Sequence, residues 1–82
     1  MIQFNELCRN IADVLGCDVR EVTPGRRFED LEGWDSMNAL RLLTSVEAEF
    51  GLRLDFRDYT ALESVDELWA LVSSEVAKCA VR

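Results

Sequence analysis

The residues able to do chemistry gather in one short stretch, Gly33-Trp34-Asp35-Ser36-Met37. Here a serine follows an aspartate directly before a run with helical periodicity. Aspartate is a favoured helix N-cap because its carboxylate accepts from otherwise unpaired backbone N–H groups. That places the Ser36 hydroxyl in the first helical turn, where free N–H groups and the helix dipole favour a phosphate. A phosphodiester on this oxygen would be electrostatically favoured and sterically accessible. The chain contains no histidine. Imidazole acid–base catalysis, Ser–His and Cys–His pairs and His-ligated metals are therefore excluded. Ser36 is not a self-activated nucleophile; it reads as the target of another enzyme's chemistry. Lysine chemistry has a single candidate, Lys78, near the C-terminus. The three cysteines, Cys8, Cys17 and Cys79, are odd in number and lack a CxxC spacing. They indicate neither a disulfide framework nor a zinc site, but reduced thiols in a cytoplasmic protein. The acids Asp30, Glu32 and Asp35 follow no calcium-loop template and read as a solvated acidic face, so no metal is expected.

Eighty-two residues make one small domain spanning 1–82. An apolar fraction of 49% and a charged fraction of 30% are ordinary for a folded chain and argue against wholesale disorder. Sixteen acids against nine bases leave a formal charge of −7. A nucleic-acid binder needs a cationic surface to displace counterions, and an anionic membrane repels this one, so neither is an expected partner. A basic protein surface would be attracted instead. No apolar stretch approaches membrane-spanning length. The opening Met-Ile-Gln-Phe-Asn-Glu lacks a basic run followed by an apolar one, so no secretory leader is expected. Nothing in the sequence requires more than a monomer.

The elements that must position Ser36 read as helix, long loop, helix, short connector, helix, with no internal repeat. Phe4, Leu7, Ile11, Val14 and Leu15 recur at three- and four-residue steps. They predict an amphipathic helix from about Gln3 to Leu15, with Glu6, Arg9, Asn10 and Asp13 mostly off the apolar face and Gly16 as its C-cap. Residues 17–35 carry no sustained period, and Thr23-Pro24-Gly25 is turn chemistry. A loop this long is functional or pinned by its own apolar residues; Val19, Val22, Phe28 and Leu31 are spaced to plug into a helical core. The second helix starts at Asp35 or Ser36 and runs to Phe50, with Gly51 as its stop. It has two apolar stripes. Ala39, Leu42, Leu43, Val46 and Phe50 make the wide, core-facing one. Met37 and Leu40 lie nearly opposite, either under the long loop or open to a partner. Leu52-Arg53-Leu54-Asp55-Phe56 alternates like a strand but has no evident pairing partner, so an extended connector and a short helix near Phe56–Ala61 are expected. Ser64-Val65-Asp66-Glu67 is a capping box opening the last helix. Its stripe is Val65, Leu68, Trp69, Val72, Val76 and Cys79, and fraying is expected after Ala77.

Asp35-Ser36-Met37 at a helix start, preceded by Phe28 and Leu31, resembles the attachment site of acyl carrier proteins. The helix from Asn38 onward, ending Val46-Glu47-Ala48-Glu49-Phe50-Gly51, continues the likeness. The resemblance covers most of the chain in element order and is closest over residues 28–52. It implies an all-α fold, a small four-helix bundle of acyl-carrier type with three longer helices, one short helix and a long first loop, and no catalysis of its own. It further implies that a phosphopantetheinyl transferase modifies Ser36 with 4′-phosphopantetheine from coenzyme A. The thiol of that arm would carry acyl or aminoacyl groups as thioesters between loading and acceptor enzymes. Asp35 would assist at the transferase's site as well as cap the helix. Met37, Leu40 and Thr44, with Arg41 and Glu47, fall where the family docks partners, and Leu42, Val46 and Phe50 on its core positions. Two departures stand out. Fatty-acid carriers resemble one another in acids at the positions held here by Asn38 and Arg41, and Trp34 replaces the small residue usual before Asp-Ser. Both point to a free-standing carrier of a specialised biosynthetic pathway. The residues alone also admit an unmodified helical interaction module using Met37, Leu40 and the acidic face.

Overall fold

The computed structural model describes residues 2–80, and the side chains of residues 2–78. Helix α1 spans Phe4–Leu15, α2 Ser36–Phe50, α3 Phe56–Thr60 and α4 Val65–Ala80; no strand occurs among the described residues. Three longer helices and one short one thus form the expected bundle. One core joins them all. Leu7 and Ile11 of α1, Leu42 and Val46 of α2, and Val65, Leu68 and Val72 of α4 are fully or almost fully buried. At the edge of the core Phe4 of α1 meets Trp69 of α4 edge to face, ring centroids 5.5 Å apart, a favoured aromatic geometry. Gly16 and Gly51 close α1 and α2 as anticipated.

The long loop is pinned, but not by all four of its apolar residues. Val22, Phe28 and Leu31 are buried, whereas Val19 is 44% exposed. Val19 belongs to a single 3-10 turn, Val19–Glu21, whose geometry is set locally: the Asp18 carboxylate accepts from the Arg20 backbone N–H at 2.8 Å and pairs with its guanidinium at 2.7 Å. That turn leaves Val19 at the surface. A second anchor was not visible in the sequence. Phe28 N–H donates to the Glu63 carbonyl at 2.9 Å, Val65 N–H to Arg26 at 3.0 Å and Asp66 N–H to Pro24 at 2.9 Å. An isolated antiparallel bridge, Arg27 to Ser64, thereby ties the middle of the loop to the start of α4.

Several other expectations change. Asn10 is buried, although polar residues of α1 were placed off the apolar face. It is satisfied by Ser45 of α2, whose hydroxyl donates to its side-chain oxygen at 2.7 Å, so the pair forms a polar link across the α1–α2 interface. Ala39, Leu43 and Phe50 are only half-buried; full burial on α2 is confined to Leu42 and Val46. Half of the capping box at α4 forms: the Glu67 carboxylate accepts from the Ser64 and Glu63 N–H groups at 3.1 and 2.7 Å, while the Ser64 hydroxyl donates to Asp66 at 2.6 Å. Helix α4 is helical as far as Ala80, so the last turn, where fraying is expected, is still wound; the side chain of Cys79, assigned to its apolar stripe, lies outside the described residues. The segment between α2 and α3 is an extended connector, as expected, with Leu52 and Leu54 turned into the core.

Candidate functional site

The junction that presents Ser36 is built outward from the core. Phe28 is buried, and the Trp34 indole stacks on it with ring centroids 4.7 Å apart and planes within 14°. Between them the chain turns at Gly33, whose φ of 86° is a conformation that side chains oppose. A Cβ there would also collide with the Leu15 carbonyl oxygen at the end of α1. The loop is therefore clamped from two sides immediately before the serine.

Asp35 then takes an extended conformation, φ −153° and ψ 176°, and caps α2: its carboxylate accepts from the Asn38 N–H at 2.7 Å. Ser36 is the first residue of the helix and is exposed. Its hydroxyl lies beside the N-terminal N–H groups and the positive end of the dipole, where a phosphate is stabilised. These residues fit a phosphodiester on Ser36. A feature unseen in the sequence completes the turn: the Asn38 side-chain amide donates to the Gly33 carbonyl at 2.7 Å. No local pattern signals it, because the capping-box side chain at this position accepts from the cap N–H, whereas Asn38 donates to a carbonyl.

Beyond the serine, Met37, Leu40, Arg41 and Thr44 come together with Ser45 and Ala48 along an open groove on the outer face of α2. Met37 is 67% and Leu40 53% exposed, so the smaller stripe is not covered by the long loop. Among the described residues Arg41 enters no ion pair. Glu47 stands apart from this group. It is half-buried, its carboxylate accepts from the Leu54 N–H at 2.9 Å, and it borders a different depression with Leu52, Arg53 and Glu75. The acids Glu29, Asp30, Glu32 and Asp35 are exposed on the loop side of Ser36. Burial pushes the Cys8 and Cys17 thiols up, with nearby Glu21 adding to the effect at Cys17, so both are held as thiols rather than reactive thiolates. No helix is long and apolar enough to cross a membrane among the described residues.

Comparison with known proteins agrees with this geometry. The family model described as the phosphopantetheine attachment site matches residues 5–72. The chain is 39% identical over 75 residues to polyketide-8 synthase acyl carrier protein 2 of Streptomyces avermitilis, covering 90% of this chain and 82% of that protein. It is 31% identical over 65 residues to the acyl carrier protein of Solidesulfovibrio magneticus, covering 79% of this chain and 83% of that one. The solution structure of holo acyl carrier protein from Geobacter metallireducens has the same fold, with a TM-score of 0.84 over 98% of this chain and 92% of that one at 22% identity. The chain belongs to the acyl carrier protein family, whose members bear a covalent 4′-phosphopantetheine, work with phosphopantetheinyl transferases and biosynthetic enzymes, and are carriers rather than catalysts.

Proposed function

We propose that Ser36 is the attachment residue and that the chain acts, without catalysis of its own, as a carrier of acyl or aminoacyl groups in a specialised biosynthetic pathway. The observation that carries this is an exposed serine at the first position of a capped helix, inside the matched region. In the attachment step the Ser36 oxygen bonds to phosphorus as the pyrophosphate bond of coenzyme A breaks. Adenosine 3′,5′-bisphosphate leaves, and the serine proton passes to a base of the transferase, since this chain has no histidine to take it. Once bound, the group supplies a thiol that holds cargo as a thioester. The chain's own residues present and orient that group: Asp35 caps the helix and assists at the transferase's site, and the turn at Gly33 holds the junction against α1.

The likeness to a polyketide carrier supports the specialised pathway. So does Arg41, the one charged residue of α2 before Glu47. We take Met37, Leu40, Arg41 and Thr44 as the docking face for loading and acceptor enzymes. Glu47, whose carboxylate is engaged by Leu54, contributes through the shape of the α2 end. The protein works as a cytoplasmic monomer. Intact mass spectrometry after incubation with coenzyme A and a broad-specificity transferase tests the reading. Wild type should gain one phosphopantetheine and Ser36→Ala none, while Leu40→Asp should fold yet lose transfer to its loading enzyme. An unchanged wild-type mass would leave the unmodified interaction module as the better account.

A further inference from the structure

We infer that Asn38 is a positioning residue for the modification of Ser36, an inference that rests on Ser36 being the attachment site. Asn38 makes two bonds that bracket the serine. Its backbone N–H donates to the Asp35 carboxylate and its side-chain amide to the Gly33 carbonyl, each at 2.7 Å. Together they close a ring around Gly33, Trp34 and Asp35, the three residues that lead the chain into Ser36. The ring is buttressed on its far side by Leu15, whose carbonyl lies where a Cβ on Gly33 would be.

The side-chain bond requires a donor. A carboxylate at position 38 has the same shape but only acceptors, and its oxygens would face the partial negative charge of the Gly33 carbonyl oxygen. Yet an acid in the first turn favours the helix itself through the dipole. Helix stability and loop order therefore make opposite demands at this position, and the chain meets the second. Releasing Gly33 lets the junction populate several conformations. A transferase that engages one of them then binds with an affinity lowered by the fraction in which it occurs. The cost falls on KM, with kcat nearly unchanged, because the complex once formed is the same.

The experiment measures phosphopantetheine transfer by a broad-specificity transferase from coenzyme A to wild type, Asn38→Asp, Asn38→Ala and Asn38→Gln. Amide hydrogen exchange and thermal melting are run on the same samples. Asn38→Asp should raise KM about five- to tenfold, the loss of one hydrogen bond and its replacement by repulsion. Its kcat should stay within about twofold, its Tm should equal or exceed wild type, and exchange at Trp34 to Ser36 should quicken. Asn38→Ala should shift KM in the same direction, and Asn38→Gln, which keeps the donor, should recover part of the loss. A wild-type KM in Asn38→Ala would overturn the inference by reducing the Asp effect to charge alone. So would KM losses that track Tm without faster exchange, which mark a general structural role. No mass gain by wild type would overturn the assignment of Ser36 and this inference with it, whereas a normal gain with unchanged KM in every variant overturns this inference alone.

Discussion

Leu42 and Val46 are sealed in the core, while on the other face of the same helix Met37 and Leu40 leave more than half of their surface in water. All four residues are apolar and all four sit on α2. Burying such a side chain stabilises a fold by about 1.5–3 kcal/mol, a gain that the outer pair forgoes. The outer pair therefore adds little to the stability of the fold, and its exposure has to be read separately from the packing of the core. The inner face gives α2 its place against α1 and α4. The outer face, beginning one residue beyond Ser36, is the docking face proposed above.

The contrast can be broken most severely at Leu42. Leu42→Ala should cost about 2–5 kcal/mol, as for a fully buried leucine, and Leu40→Ala no more than about 0.5 kcal/mol. Chemical denaturation of the two variants checks this, and equal losses would mean that the two faces are not distinct. Gly33→Ala comes next. A side chain at positive φ costs about 1–3 kcal/mol before the collision with Leu15 is counted, so both stability and the rate of Ser36 modification should fall. Phe50→Ala sharpens the boundary between the faces. Its ring is half-buried, so denaturation should show a loss near 2 kcal/mol, about half of that for a fully enclosed ring.

A smaller effect is expected at Tyr59, the only tyrosine, whose hydroxyl donates to the Ala39 carbonyl at 2.6 Å and joins α3 to the edge of the inner face. Tyr59→Phe should cost about 1 kcal/mol. Burial pushes the phenol well above its ordinary value, so the folded state favours the neutral form. A raised pKa contributes stability that is complete below about pH 10, where the unfolded phenol titrates, and is lost as pH rises toward the folded value. The gap in stability between wild type and Tyr59→Phe should therefore narrow above pH 10. Least change in stability is expected from Arg41→Glu on the outer face, within about 0.5 kcal/mol. It should nevertheless strengthen docking to fatty-acid synthase enzymes, and unchanged or weaker binding in a titration would count against a charge-reading role for Arg41.

Much of this could be read from residue order because the governing interactions are local. The 3.6-residue period of α1, the glycine stops at Gly16 and Gly51, the Asp35 cap and the position of Ser36 at the mouth of α2 each depend on residues within a turn or two of one another. So does the match of Asp35-Ser36-Met37 and the following helix to acyl carrier proteins. What escaped depends on pairs far apart in the chain. Asn10 reads as a surface residue until Ser45 is brought to it. Val19 and Val22 are the same residue type three positions apart, and only the Asp18–Arg20 turn decides that one faces water and the other the core. The bridge from Arg27 to Ser64 joins two segments that each look like plain loop.

Periodicity marked the wide stripe of α2 as core-facing but left undecided whether the Met37–Leu40 stripe lies under the long loop or in the open. The side on which α1 and α4 pack settles it, and that is a property of the whole bundle. Residue order by itself thus determined the helices, the cap and the place of Ser36 in the first turn of α2, because hydrogen bonding and periodicity act over a few residues. Only the tertiary structure decided that the Met37–Leu40 stripe stays open and that Asn38 reaches back to Gly33. Exposure and side-chain reach follow from how separate elements meet, and no local rule contains that information.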